Sequence, residues 1–330
     1  MKLATYVQEG ESKIGAVLAD KSRVFDFALA ARRAGASDAP FASMLALIDA
    51  DDRGLDLAHD LVEKLGGEEE LSADLSAVRL LAPLPEPRQM RDAMSFQAHV
   101  LQSARGAQAL QALRTGGEAA FRAAMAAPLP ELPDVYRQVP IYYFTNRFTV
   151  AGPDSTIAWP RYSSVMDYEL EIGMITRRTR ANIPKSEAAA HIFGYTIFND
   201  FSARDRQAVE MLGRLGPAKG KSFDGGNVIG PWIVTPDELG DPQTLTVAVR
   251  VNGEKRATGA TEGMLFSFEE LLAYASQDET IQAGEFFGSG TVGNCCGLEI
   301  GRFLESGDVV ELEVDRIGVL RNKVVAEHAA

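Results

Sequence analysis

A mainly β fold of the α+β class is what this 330-residue sequence predicts, with a small β-rich unit over residues 1–80 and a larger domain over 81–330. Three observations carry that reading. Beyond residue 140 the apolar runs are short and rich in β-branched and aromatic residues, as in IYYFTN, IFGYTIFND and LTVAVRVNG, which is the signature of strands. The first thirty residues carry the same pattern in shorter pieces. Between the two regions lies LAPLPEPRQ (81–89), a Pro-rich stretch that reads as a stiff connector.

Taken in order, LATYVQEG, SKIGAVLAD and SRVFDFA predict three short strands joined by Gly and polar turns, with helices around 40–50 and 56–65. After the connector, HVLQSARGAQALQALRTGGEAAFRAAMAAPLPELP is rich in Ala, Gln and Arg. It predicts a helical insertion over 101–137 that closes as a lid, broken at the Gly-Gly pair 116–117. Strands follow at IYYFTN, SSVMDYELEIGMI, IFGYTIFND, VIGPWIV, LTVAVRVNG and DVVELEVDRIGVLRN, with helices at SARDRQAVEMLG and SFEELLAYASQ. The Gly clusters GKSFDGGN and FGSGTVGN mark loops where backbone approaches something closely.

The composition is that of a water-soluble globular protein, 46% apolar and 24% charged. A net charge of -13 argues against nucleic acid or an anionic membrane as partner. The two cysteines are adjacent, Cys295 and Cys296. Neighbours rarely suit disulfide geometry, so reduced buried thiols in a cytoplasmic protein are expected. The opening MKLATYVQEG has no signal-peptide core and no long apolar run follows.

The chemistry lies in four carboxylates: Asp92, Glu169, Glu171 and Asp200. Three of them interrupt apolar, strand-like runs, and a bare carboxylate is rarely buried without a cation or hydrogen bonds to compensate it. On a strand, Glu169 and Glu171 share a face with Leu170 opposite. Oxygen-only ligands suit a hard divalent cation, with Mg²⁺ foremost and Mn²⁺ or Ca²⁺ as alternatives.

Several ordered motifs resemble the fumarylacetoacetate hydrolase family over about residues 85–325: RDAMSFQAHV, PIYYFTN, DYELEIG, IFGYTIFNDFSARDRQAVEM, LGPAKGKSFDGGNVIGPW, GSGTV and FLESGDVVELEVDRIGVLRN. The resemblance implies a β-roll or β-sandwich domain acting as a homodimer on 1,3-dicarbonyl acids. It also implies that Asp92, Glu169, Glu171 and Asp200 hold the metal and that His99 is the general base, a task suited to imidazole near neutral pH. In the longer members a Glu on a strand after the G-T-[IV] loop orients the base, and Glu299 in CGLEIG matches it. Shorter members place a Glu three residues after the His, where this chain has Gln102. Arg204 and Gln207 match substrate-facing residues and lie three apart on a predicted helix, on one side. Lys221 would offset carboxylate charge and touch substrate, Tyr143 would contact substrate, and Thr291 would hold a substrate carboxylate. Asp205 reads as a structural partner or cap; His191 and His328 read as structural.

Two features stand apart. The hydrolases commonly carry a Thr soon after GKSF, and this chain has Asp224-Gly225-Gly226-Asn227. GPAKGKS looks like a phosphate-binding loop but has one residue too few between its glycines and follows a helix instead of a strand.

The expected activity is metal-dependent hydrolysis of a carbon–carbon bond in a 1,3-diketo acid of fumarylacetoacetate or acylpyruvate type. Decarboxylation of an oxaloacetate-type acid, sugar-acid dehydration or isomerisation would use the same metal site, because each needs a stabilised enolate. A non-catalytic binding protein is the remaining class, and it would have lost a ligand or the base.

Overall fold

The computed structural model describes residues 1–326; His328 lies outside the described residues. The N-terminal region begins as expected, with strands Lys2–Gln8 and Glu11–Val17. The third strand stops at Asp26, because the Asp26 side chain accepts from the Leu29 N–H and caps a helix over Phe27–Arg33. Helices Met44–Asp49 and Asp51–Leu65 follow.

These strands do not form an island. Lys2–Gln8 pairs antiparallel with Asn227–Val234, placing Lys2 opposite Val234, so residues 1–80 extend one 12-stranded sheet. Its central order runs Lys2–Gln8, Asn227–Val234, Ile192–Asp200, Leu170–Thr176, Phe286–Gly288, Met90–Ala93, Tyr142–Phe144. A second sheet of five strands is ordered Glu254–Ala260, Thr246–Val251, Val309–Val314, Gly318–Val325, Thr156–Ala158.

Alternation along the strands decides what each face of the large sheet meets. Leu170, Ile172, Met174, Ile197 and Val228 join Val249, Leu312 and Leu320 of the second sheet in one apolar cluster. Ile175, Phe198, Ile229 and Phe286 project to the other side, where they pack with Leu47, Ile48, Ala58 and Leu61 of the N-terminal helices. The chain is thus an α+β sandwich, mainly β in its core.

The lid insertion differs from its sequence expectation at both ends. Its helix begins at Gln97, four residues early, so His99 rides on its first turn. It runs to Met125 and breaks at Gly117, whose φ of 71° and ψ of -167° leave the helical region. A short helix, Val135–Gln138, closes the segment. The expected strand through SSVMDYELEIGMI is also interrupted. Met166–Asp167 pairs with Ser202–Ala203, and the main strand starts only at Leu170. Among the described residues, no helix is long and apolar enough to cross a membrane.

Candidate metal centre and proton-transfer dyad

The same alternation that builds the core gathers the carboxylates. Asp92 follows Met90 by two residues, Glu171 precedes Ile175 by four, and Asp200 follows Phe198 by two. Met90, Ile175 and Phe198 all face the second cluster, so the three acids occupy that same face where the apolar side chains end. Register brings them level: Gly288 lies opposite Asp92 on one side and Gly173 on the other. Oxygens of Asp92, Glu171 and Asp200 lie within 4.8 Å of one another, all buried.

Between these acids stands Gly288. A Cβ there would sit 2.4 Å from Asp92 Oδ1 and 2.8 Å from Glu171 Oε2. Gly288→Ala is therefore expected to abolish Mn²⁺ binding with little change in fold, as calorimetric titration and circular dichroism would report. Asp92 Oδ1 and Asp200 Oδ1 are buried with no hydrogen-bond partner, a cost that a dry site does not leave unmet. Three hard oxygen donors with two uncompensated oxygens fit a divalent cation of the Mg²⁺ or Mn²⁺ kind.

Electrostatics agree. Burial raises the Asp92 carboxyl well above its usual range, and the neighbouring Asp200 adds to it. Burial also raises Glu171 well above its range, with Asp92 the next cause. Asp200 is raised by burial too, against the pull of Lys221. Groups whose folded pKa is raised stabilise the fold below their unfolded values, and that contribution is lost as pH rises through the folded values. In EDTA, the melting temperature is accordingly expected to fall as pH climbs from about 4 through the raised range of these acids. Saturating Mn²⁺ should reverse the fall, because cation binding releases the protons. A melting temperature in EDTA that rises over this window would contradict the assignment.

Glu169 behaves differently from its sequence neighbours. It sits just before the strand, bridged to Cys296, and its two oxygens are taken by cations. Arg204 Nη2 donates to Oε1 at 2.6 Å and Lys221 Nζ to Oε2. Burial would raise Glu169, yet Arg204, Lys221 and His99 outweigh it and hold the carboxyl well below its usual range. Of the four expected ligands, the structure thus groups three and places the fourth in an ion network beside them. Lys221 joins the two sets, donating to Asp200 Oδ2 as well. Burial alone would lower its ammonium, but Asp200 and Glu169 keep it charged.

Arg204 is buried and spends its guanidinium three ways: on Asp167 Oδ2 at 2.7 Å, on Gln207 Oε1 at 2.9 Å and on Glu169. Removing one partner of such a buried group costs about 3–5 kcal/mol. The expected pairing of Arg204 and Gln207 on one helix side is met on Arg204–Glu210. Tyr143 lies opposite Asp92 in the next strand, and its hydroxyl donates to Asp200 Oδ2 at 3.0 Å. Thr291 is buried with an unpartnered hydroxyl, one residue beyond Gly290, whose N–H donates to Glu171 Oε2 at 2.8 Å.

His99 and Glu299 meet. Nδ1 of His99 is 3.1 Å from Glu299 Oε1, which makes Nδ1 the donor and leaves Nε2 free to accept. Nε2 points toward the acidic network, 3.8 Å from Glu169 Oε1. Glu299 was expected on a strand but sits in a one-turn helix, Gly297–Ile300. That turn forms because its carboxylate accepts from the Cys296 N–H at 3.1 Å. Gln102 faces Asn294 and takes no part.

The Fumarylacetoacetate (FAA) hydrolase C-terminal sequence model matches residues 113–325. An oxaloacetate tautomerase of Bacillus subtilis is 32% identical over 256 residues, 76% of this chain and 74% of that protein. The chain belongs to the fumarylacetoacetate hydrolase family. Within it, a 2,4-didehydro-3-deoxy-L-rhamnonate hydrolase of a Sphingomonas species is 33% identical over 56% of this chain and 65% of its own length. The solved fumarylacetoacetate hydrolase of Exiguobacterium antarcticum aligns over 99% of this chain and 100% of its own, at 26% identity and a TM-score of 0.70. Enzymes of this family are thus hydrolases and tautomerases alike.

One residue beside the candidate site went unnoticed in the sequence. Asp167 accepts from Arg204 and from the N–H groups of Gly297 and Leu298 at 2.7 and 2.9 Å. It ties the arginine to the turn that carries Glu299. Asp167, Glu169 and Glu171 alternate, so the period that marked the last two extended to the first. The phosphate-loop look-alike is also explained: Glu210 accepts from the N–H groups of Ala218, Lys219 and Gly220. An internal carboxylate fills the place an anion would take. Asn227, the last residue of the run that lacks the usual Thr, pins a neighbouring loop through Thr145, Thr149 and Asn146.

Proposed function

We propose that this chain is a divalent-metal-dependent enzyme acting on the enol–keto system of a short keto acid whose keto group stands 1,3 to a second carbonyl. The observation that carries this reading is the His99–Glu299 dyad, whose free nitrogen faces the acidic network. A bound Mg²⁺ or Mn²⁺ would supply Lewis-acid charge to substrate oxygens at Asp92, Glu171 and Asp200, with Glu169 adjoining them. His99 Nε2 moves the proton, and Glu299 holds the ring in the tautomer that allows it. Arg204, positioned by Gln207 and Asp167, and Lys221 stabilise negative charge developing on the substrate. Tyr143 and Thr291 orient its oxygens, and the lid helix excludes bulk water.

Hydrolysis of a 1,3-diketo acid is the primary form of this reaction. There His99 takes a proton from water, hydroxide adds to the carbonyl distal to the 2-oxo acid, and the carbon–carbon bond breaks to leave an enolate. Tautomerisation of oxaloacetate is the second form, favoured by the name of the 32%-identical relative. It needs the same base and no water. The test measures loss of absorbance of an acylpyruvate, of fumarylacetoacetate and of enol-oxaloacetate, each with Mn²⁺ and then EDTA. Metal-dependent release of pyruvate or acetoacetate supports hydrolysis; metal-dependent loss of the enol with oxaloacetate intact supports tautomerisation. Metal-bound enzyme inert toward all three would overturn both. The homodimer belongs to this reading as well, and light scattering would measure it.

A further inference from the structure

We propose that this enzyme carries a second metal site, selective for thiophilic divalent ions such as Zn²⁺ and Cd²⁺, made of His99, Cys296 and Glu299, and that its occupation switches the enzyme off. Three elements converge to build it. The first turn of the lid helix delivers His99, the loop before the Gly297–Ile300 turn delivers Cys296, and the turn brings Glu299 back beneath it. A ring nitrogen of His99, Cys296 Sγ and a Glu299 oxygen lie within 4.8 Å of one another, all buried. Zn²⁺ takes nitrogen, thiolate and carboxylate at about 2.0–2.3 Å, so bound donors stand about 3.5 Å apart. Small side-chain movements reach that spacing, and three protein ligands with one open position suffice.

The donor set separates this site from the oxygen-only trio. Hard cations avoid sulfur, whereas zinc and cadmium prefer it. Both cysteines are free, and they face different surroundings. Cys295 packs in the main core with Val249 and Leu312, while Cys296 packs against Leu110 and Leu298. Only Cys296 belongs to the trio. A cavity of about 540 Å³ lined by Gln102, Phe121, Met125, Asn294 and Glu299 opens a route to Glu299 beneath the lid. On binding, the thiol proton leaves to solvent, the imidazole proton passes from Nδ1 to Nε2 by exchange with solvent, and the ion occupies the Nδ1 and Glu299 oxygen atoms that form the dyad, so the base is lost.

The experiment titrates Zn²⁺ and Cd²⁺ into enzyme saturated with Mn²⁺. Turnover is expected to fall, and further Mn²⁺ should not restore it. Cys296→Ser leaves the backbone contact to Glu299 intact and should keep turnover while weakening zinc inhibition more than about tenfold. Cys295→Ser should be inhibited like the unaltered protein. Cd²⁺ should also give a thiolate absorption band in the ultraviolet, one per chain, absent from Cys296→Ser. That band needs no substrate, so it separates this proposal from the question of which reaction is catalysed. Relief of inhibition by Mn²⁺, equal inhibition of Cys296→Ser, or no cadmium band in the unaltered protein would each overturn the site. Should Cys296→Ser fail to fold, the band in the unaltered protein decides.

Discussion

His99→Ala is expected to keep its cation and its fold while losing turnover by about 10²–10⁴-fold. The reason is spatial. His99 is contributed by the helix Gln97–Met125, whereas Asp92, Glu171 and Asp200 come from strands of the large sheet, so its removal leaves the carboxylate trio untouched. The loss should fall on kcat with KM little changed, because the ring moves a proton and does not hold the substrate. Glu299→Gln should reproduce part of the loss by weakening control of the tautomer. Calorimetry with Mn²⁺ and steady-state kinetics measure the two effects separately. Turnover retained in His99→Ala would remove this side chain from the chemistry.

Asp92→Asn is expected to move activity and stability in opposite directions. An amide cannot replace a charged ligand, so Mn²⁺ binding and turnover should both fall to background. In EDTA at pH 8, however, the variant should melt higher than the unaltered protein. It removes one of three carboxylates that burial and mutual repulsion hold above their usual pKa, relieving a cost paid only without the cation. The unaltered protein, in turn, should gain about 2.7 kcal/mol from cation at one hundred times its Kd, a gain that Asp92→Asn lacks. Thermal melts with and without Mn²⁺ measure both. A variant that melts lower in EDTA would mean that the carboxylates are held by something other than a missing cation.

How much of this was readable beforehand depends on the range of the interaction that decides each feature. Strand positions such as Ile192–Asp200 and Asn227–Val234 follow from local periodicity, and the shared face of Glu169 and Glu171 follows from alternation alone. The family pattern added the roles expected of His99, Lys221 and Arg204, which no local property reveals. What escaped was set by contacts across the chain. Asp167 reads locally as one more acid before an interrupted strand, and its part emerges only when Arg204 and the Gly297–Leu298 amides arrive. The family resemblance put Glu299 on a strand, yet the hydrogen bond between its side chain and the Cys296 N–H winds that segment into a turn. Glu169 shares chemistry with Glu171 in sequence, and two cations one helix and one loop away divide them. Residues 1–80 seemed separable because the connector is stiff, whereas the pairing of Lys2 with Val234 is invisible to composition.

That pairing bears on how the molecule is made. The strand bearing Asp200 is flanked on one side by Asn227–Val234, which is flanked in turn by Lys2–Gln8. Contacts spanning so much of the chain close late and slowly, since loop entropy is spent before they return anything. During synthesis, the first strand pairs early with Glu11–Val17, while its other edge waits for Asn227–Val234 to emerge before it finds its second neighbour. A cation held by Asp92, Glu171 and Asp200 would not nucleate the fold early, because those carboxylates are assembled by the same late sheet. Holding factors that shield the nascent first strand should accordingly govern the yield of active protein more than the supply of metal during expression does.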